Sequence, residues 1–256
     1  STASQGLNNI IIKGNLIEAN TASSMGGGIF VEPRVNDKAY IFNNTVRNNN
    51  AVTWGGGIYV MPQALSVALI ANNLITGNIA RGFGGGVYAH VYNHGRVNLY
   101  NNVIFQNKLT YTGTEVGNMG GGIYVFAATN YSQAEIKNNN ISENKIISTG
   151  NYGNSGTYGN GIAVYLYIRT ASCRIVNNYI SSNESTGKAI EHYGGGIYSV
   201  NVTDCFIGIF NNLITNNLLS GQTLSNGVGG GIASQFWAGV QVKNNIISTN
   251  TIKDAN

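Results

Sequence analysis

Glu191 and His192 stand side by side, with Lys188 just upstream. A carboxylate, an imidazole and an amine in one short segment are the groups that move protons in acid–base catalysis. Proton transfer needs geometry as well as groups, and the spacing supplies no fixed partner for this trio. It falls in an insertion before Gly194 and reads as a solvated loop. The other acids are dispersed. Asp37, Asp204 and Asp254 lie far apart, and Glu135 and Glu143 bracket one asparagine pair and point to different places. Cleavage of a glycosidic bond takes two carboxyl groups facing one sugar linkage, and no such pair can be assembled. No catalytic residue is therefore expected, with Glu191 and His192 as weak candidates.

Metal and redox chemistry fare no better. His90 and His94 are four apart, a spacing that shares a face on a helix. Their segment, "YAHVYNHGR", reads as strand and turn, so no metal site and no cofactor are expected. Cys173 falls in an inward row, and Cys205 falls in the next repeat, displaced by about two residues. That diagonal offset is poor for a disulfide, so both read as buried free thiols.

Two features look like contact surfaces. The position after each Gly-Gly-Gly-Ile block holds Phe30, Tyr59, Tyr88, Tyr124, Ala163, Tyr198 and Ala233. Its parity is outward, which predicts an aromatic ridge beside a glycine track. Tyrosine offers wide contact area with a polar tip, so the ridge reads as a surface for sugars or for another protein. Insertions carrying Tyr111, Tyr152, Tyr158 and Tyr193 all fall at one corner of the repeat. Loops stacked on one edge of a solenoid form a continuous surface.

Composition narrows the classes. Only 9% of the 256 residues are charged while 43% are hydrophobic, which excludes a disordered chain. The net charge of +4 comes without a Lys/Arg cluster, so no nucleic-acid partner is expected. No apolar run is long enough to span a bilayer as a helix, so no membrane insertion is expected.

The elements that must position these residues come from a repeat. The motif N-N-x-Φ-x-x-N, with Φ aliphatic, starts at Asn43, Asn72, Asn101, Asn138, Asn177, Asn211 and Asn244, with a variant "GNLIEAN" at Gly14. The first spacings are 29 residues and the later ones 37, 39, 34 and 33. Before each pair, apolar residues alternate with mixed ones, as in Ile10-Ile11-Ile12 or Ala134-Glu135-Ile136. Period-two alternation of β-branched residues means strands. About three short strands per 29 residues fit one coil of a parallel β-helix, with about eight coils in a single domain over 1–256. Like residues then stack at about 4.8 Å. The row Asn44, Asn73, Asn102, Asn139, Asn178, Asn212 and Asn245, beginning at Asn15, is expected to form a side-chain ladder at one corner. A second ladder is expected at Asn20, Asn49, Asn78, Asn107, Asn144, Asn183, Asn217 and Asn250. The bulky row Met25, Trp54, Phe83, Met119, Tyr158, Tyr193 and Val228 is expected to fill the core at the glycine corner.

With these blocks in view, the chain resembles right-handed parallel β-helix repeat proteins of the pectate-lyase-like superfamily. It is most similar to the Gly-Gly-Ala-Ile and Phe-x-x-Asn repeats of chlamydial polymorphic outer membrane proteins and autotransporter-type surface proteins. Here Gly-Gly-Gly-Ile and aliphatic-x-x-Asn (Ile75 to Asn78) replace them. The resemblance implies an all-β solenoid and a place outside the cell or on its surface. The expected role is a non-catalytic structural or adhesive protein. Its partners would be other copies, associated head to tail or laterally, or a cell-surface glycan. The alternative is a polysaccharide-binding or polysaccharide-cleaving protein. The two chain ends are nearly in phase in the repeat, which favours head-to-tail stacking.

Overall fold

A computed structural model describes residues 8–111, 117–149, 156–188, 191–221, 226–236 and 239–254. Every strand pairing in it is parallel, and strands that recur once per coil stack into sheets. The first sheet has eight strands, from Asn9–Lys13 to Val240–Lys243, and the second has eight, from Leu16–Glu18 to Ile246–Ser248. The third has eight, from Thr21–Ala22 to Thr251–Asp254, and the fourth has seven, from Ile29–Val31 to Ile232–Phe236. This is a parallel β-helix of about eight coils. Each full early coil carries four strands rather than three, because the short third-sheet strand adds one, and later coils carry a fifth. The registers follow the sequence repeat, with Ala39 on Ala68, Ile41 on Ile70 and Ile75 on Ile104. Alternate residues of the first, second and fourth sheets meet in one dry core that includes Ile41, Ile75, Val87, Leu99 and Ile136.

Both asparagine rows are ladders. Asn73 shows the pattern: its backbone N–H and its Nδ2 both donate to Asn102 Oδ1, each at 3.0 Å. The same Nδ2 also donates to Ile41 O in the preceding coil at 2.8 Å. Each amide thus ties three coils and satisfies backbone groups that a sharp corner would strand. The residue before each ladder asparagine turns the chain at positive φ. At the first corner it is Asn43, Asn72 or Asn101 at 55–56°. Asparagine tolerates this region and glycine adopts it freely, which explains why Gly14, at φ 69°, replaces the first Asn in the earliest coil.

The triple glycines have three separate reasons. The first of each block, such as Gly55, sits at φ 64°. A Cβ on the second would strike the third sheet in the early coils: Gly56 would meet Ile79 backbone at 2.5 Å and Gly85 would meet Lys108 backbone at 2.9 Å. A Cβ on the third would meet the second ladder, as Gly57 shows against Asn78 Nδ2 at 2.9 Å. The chain is pinched there, so only hydrogen fits.

The insertions are not simply loops. Asn118–Met119, Gly156–Tyr158, Glu191–Tyr193 and Asn226–Val228 pair in parallel as a fifth, four-stranded sheet between the third and fourth. In the earlier coils the same place holds only single bridges, Met25 to Trp54 to Phe83 to Met119.

Candidate functional site

The aromatic residues of the fourth sheet point away from the main core, as their parity predicts. They do not form an open ridge. Tyr59 is 1% exposed, and Tyr88, Tyr124 and Tyr198 are each 3% exposed, while Phe30 remains 47% exposed. The cause is the bulky row, which lies outside the main core rather than filling it. Met25, Trp54, Phe83 and Met119 pack over Tyr59, Tyr88 and Tyr124 and make a second apolar cluster with them. Rings interlock: Tyr59 and Tyr88 meet edge to face at 5.1 Å, and Phe83 lies 5.1 Å from Tyr124. Further along, Tyr193 stacks on Tyr158 at 5.4 Å and lies 6.0 Å from Tyr198. Tyr152 and the Tyr111 side chain lie outside the described residues.

At the early coils the cover is incomplete. A cleft of about 350 Å³ opens there, lined by Met25, Phe30, Trp54, Tyr59, Met61, Gln63, His90 and Tyr92. The Tyr59 hydroxyl lies 3.2 Å from His90 Nδ1. Gln63 Nε2 donates to Glu32 Oε1 at 2.6 Å, and Arg34 Nη2 pairs with the same oxygen at 3.1 Å. His90 Nε2 is buried and has no hydrogen-bond partner. Burial pushes the Tyr59 phenol up, helped by nearby Glu32, and holds the His90 imidazole down at about 4. Trp54, Met61, Gln63 and His90 were not singled out for this role by the sequence. Their common signal is a position within a few residues of the glycine block, before or after it, in adjacent coils.

The acid–base pair separates. Glu191 and His192 are neighbours on a fifth-sheet strand, so their side chains leave on opposite faces. His192 points inward and is fully buried, with Nδ1 2.7 Å from Thr157 Oγ1 and 3.0 Å from Ser185 Oγ. Glu191 points outward and accepts from the Tyr158 hydroxyl at 3.3 Å. The solvated-loop expectation is therefore corrected: the pair belongs to a sheet that encloses a polar seam. Asn118 and Ser148 lie fully buried in the same coils, and Ser148 Oγ and both Asn118 amide atoms lack partners.

His90 and His94 also part. His90 lies in the cleft, and His94 stacks on Tyr131 at 4.9 Å in the following turn. Among the described residues no group of three His, Cys, Asp or Glu side chains is placed to hold a metal. Cys173 and Cys205 are free and buried, and burial pushes the Cys173 thiol up to about 12.

A smaller polar cleft of about 190 Å³ lies on the first sheet among Arg96, Asn98, Tyr100, Gln133, Glu135 and Arg174. Tyr100 donates to Glu135 there. On the second sheet the residue after each asparagine pair forms an outward row whose apolar members stay partly exposed: Leu74 36%, Val103 39%, Tyr179 41% and Leu213 37%. No family model, curated protein or solved structure matches the chain.

Proposed function

We propose that this chain is a rigid, non-catalytic solenoid that works outside the cell or on its surface as a structural or adhesive element. The observation that carries the reading is the pair of asparagine ladders, which run from Asn15 to Asn245 and from Asn20 to Asn250. Ladders on two corners brace every coil against its neighbours and make a stiff rod. The resemblance to polymorphic-outer-membrane and autotransporter-type repeats supports the same role. A second copy is the partner that fits the outward row of Leu74, Val103 and, beyond Asn140, Tyr179, because another rod with the same coil rise meets that row in step.

The second reading, a polysaccharide-cleaving protein, draws on the aromatic cleft but finds no paired carboxyls there. The test has two arms. Antibody against the chain should label intact cells of the source organism, and purified chain should release neither reducing ends nor unsaturated products from a polysaccharide panel. Labelling only after lysis would overturn the location. Steady product release would overturn the non-catalytic reading.

A further inference from the structure

No ladder asparagine lines the early-coil cleft, yet it is built like a binding site. One wall is a set of near-parallel rings. Phe30 and Tyr59 lie 2° apart in plane with centroids 5.3 Å apart, and Trp54 lies within 19° of Tyr59. The rim is polar, with Gln63 held on Glu32 and the Tyr59 hydroxyl held near His90 Nδ1. His90 Nε2 is buried and has no hydrogen-bond partner, a cost that a ligand hydroxyl would remove.

Electrostatics select among ligands. The carboxylate at the rim, Glu32, already pairs with Arg34, so a cation finds no uncompensated charge. Burial keeps the Tyr59 phenol and the His90 imidazole neutral at neutral pH, so an anion finds no imidazolium. What remains is a neutral ligand with a flat apolar face and hydroxyl groups around its edge. A pyranose ring has that form. The cleft volume of about 350 Å³ falls at the low end of small-molecule sites, roughly 300–1,000 Å³.

We propose that this cleft is a carbohydrate-binding site that takes a neutral pyranose, stacked on the Phe30 and Trp54 rings that Tyr59 backs from beneath, and hydrogen-bonded by Gln63 and His90. The site goes beyond the structural reading, because a rod with no ligand would still satisfy it. Failure here leaves the ladders and the cell-surface test untouched.

Trp54 and Trp237 are the two tryptophans of the chain, so Trp237→Phe leaves Trp54 as the sole emitter. That protein is titrated with neutral gluco-, manno-, galacto- and xylo-oligosaccharides to about 10 mM, a range that captures weak sugar binding. Tetramethylammonium and an oligouronate run in parallel. At least one neutral series should shift Trp54 emission saturably, and Gln63→Leu and Phe30→Ser should each weaken it about tenfold while melting within a few degrees of the parent. Saturation-transfer NMR on the unsubstituted chain gives the same answer if Trp237→Phe fails to fold. No saturable response to any neutral sugar overturns the site. So does a response unchanged in both variants, or one given only by the ammonium or the uronate.

Discussion

The first three glycine blocks and the later ones share a repeat but close its last corner differently. In the early coils five residues separate the second ladder asparagine from the first glycine, and in the later ones 10 to 14 do. The short link draws the glycine block against the third sheet. A Cβ would lie 2.7 Å from Asn50 backbone at Gly27 and 2.5 Å from Ile79 backbone at Gly56. The long link inserts the fifth sheet and moves that wall away. A Cβ at Gly121 then meets the third sheet only at Ile146 Cγ1, 3.4 Å away, and one at Gly195 comes no nearer than 3.3 Å to Asn217 Cβ of the second ladder. This release explains the one departure from the triple glycine. Asn160 occupies the middle position in a later coil and reaches Leu218 O at 3.1 Å. The short link leaves an apolar pinch with an open aromatic cleft beside it. The long link leaves a covered polar seam around His192.

What the two regions share should be their strongest feature. Asn73 and Asn178 make the same bonds, and both are 2% exposed. Replacing either with Leu removes the side-chain partner of a backbone N–H and a carbonyl in the preceding coil and takes one bond from the ladder amide on each side. Asn73→Leu and Asn178→Leu should each lower stability by about 3–5 kcal/mol, at the upper end for single substitutions, measured by denaturant unfolding. A marked difference between them would show that the ladder is not the common element.

Much of this was legible in the sequence because one coil equals one repeat. Stacking then turns a sequence row into a spatial row, and the ladders, the inward apolar rows and the αL corners follow. The third-sheet strands were hidden because some, such as Thr21–Ala22 and Asn50–Ala51, are two residues long, too short to show alternation. The fate of the tyrosine row was hidden for another reason. Parity tells which way Tyr59 or Tyr124 leaves its strand, but not whether Trp54 or Phe83 lies over it. The fifth sheet was masked by glycine, serine and threonine, which read as loop. Its inward positions Asn118, Thr157 and His192 carry no apolar pattern. For the same reason the cleft, assembled from three coils, had no linear signature.

A smaller effect tests the pinch itself. A methyl group at either Gly56 or Gly121 meets a backbone oxygen of the next coil nearly equally closely, but Gly56→Ala also strikes Ile79 backbone at 2.5 Å whereas Gly121→Ala meets the third sheet only at Ile146 Cγ1, 3.4 Å away. Overpacking of this kind costs about 1–3 kcal/mol. Gly56→Ala should fall at the top of that range and Gly121→Ala at the bottom, as read from paired melting curves. Equal losses would mean that stacking on the next coil, not the third-sheet wall, excludes the side chain.

Acid should expose the difference between the two regions most gently. Burial holds the folded His90 imidazole down at about 4, against an ordinary value of 6.5. Between those values the unfolded chain binds more protons at this site than the folded one, so stability rises with pH across the window. The contribution is present in full above about 6.5, is lost as pH falls toward 4, and does not change further below that. His90 keeps some contact with solvent in the cleft, so screening reduces the loss to roughly 1–2 kcal/mol. Hydrogen exchange at pH 7 and pH 4.5 should therefore show protection falling first in the strands around His90, Ile58–Val60 and Val87–Val91. The later fourth-sheet strand Ile162–Leu166 should hold. His90→Gln, which keeps a neutral hydrogen-bonding side chain, should flatten the pH response of the early strands. If the early strands still loosen at pH 4.5 in that variant, groups other than the cleft histidine set the acid sensitivity of this end.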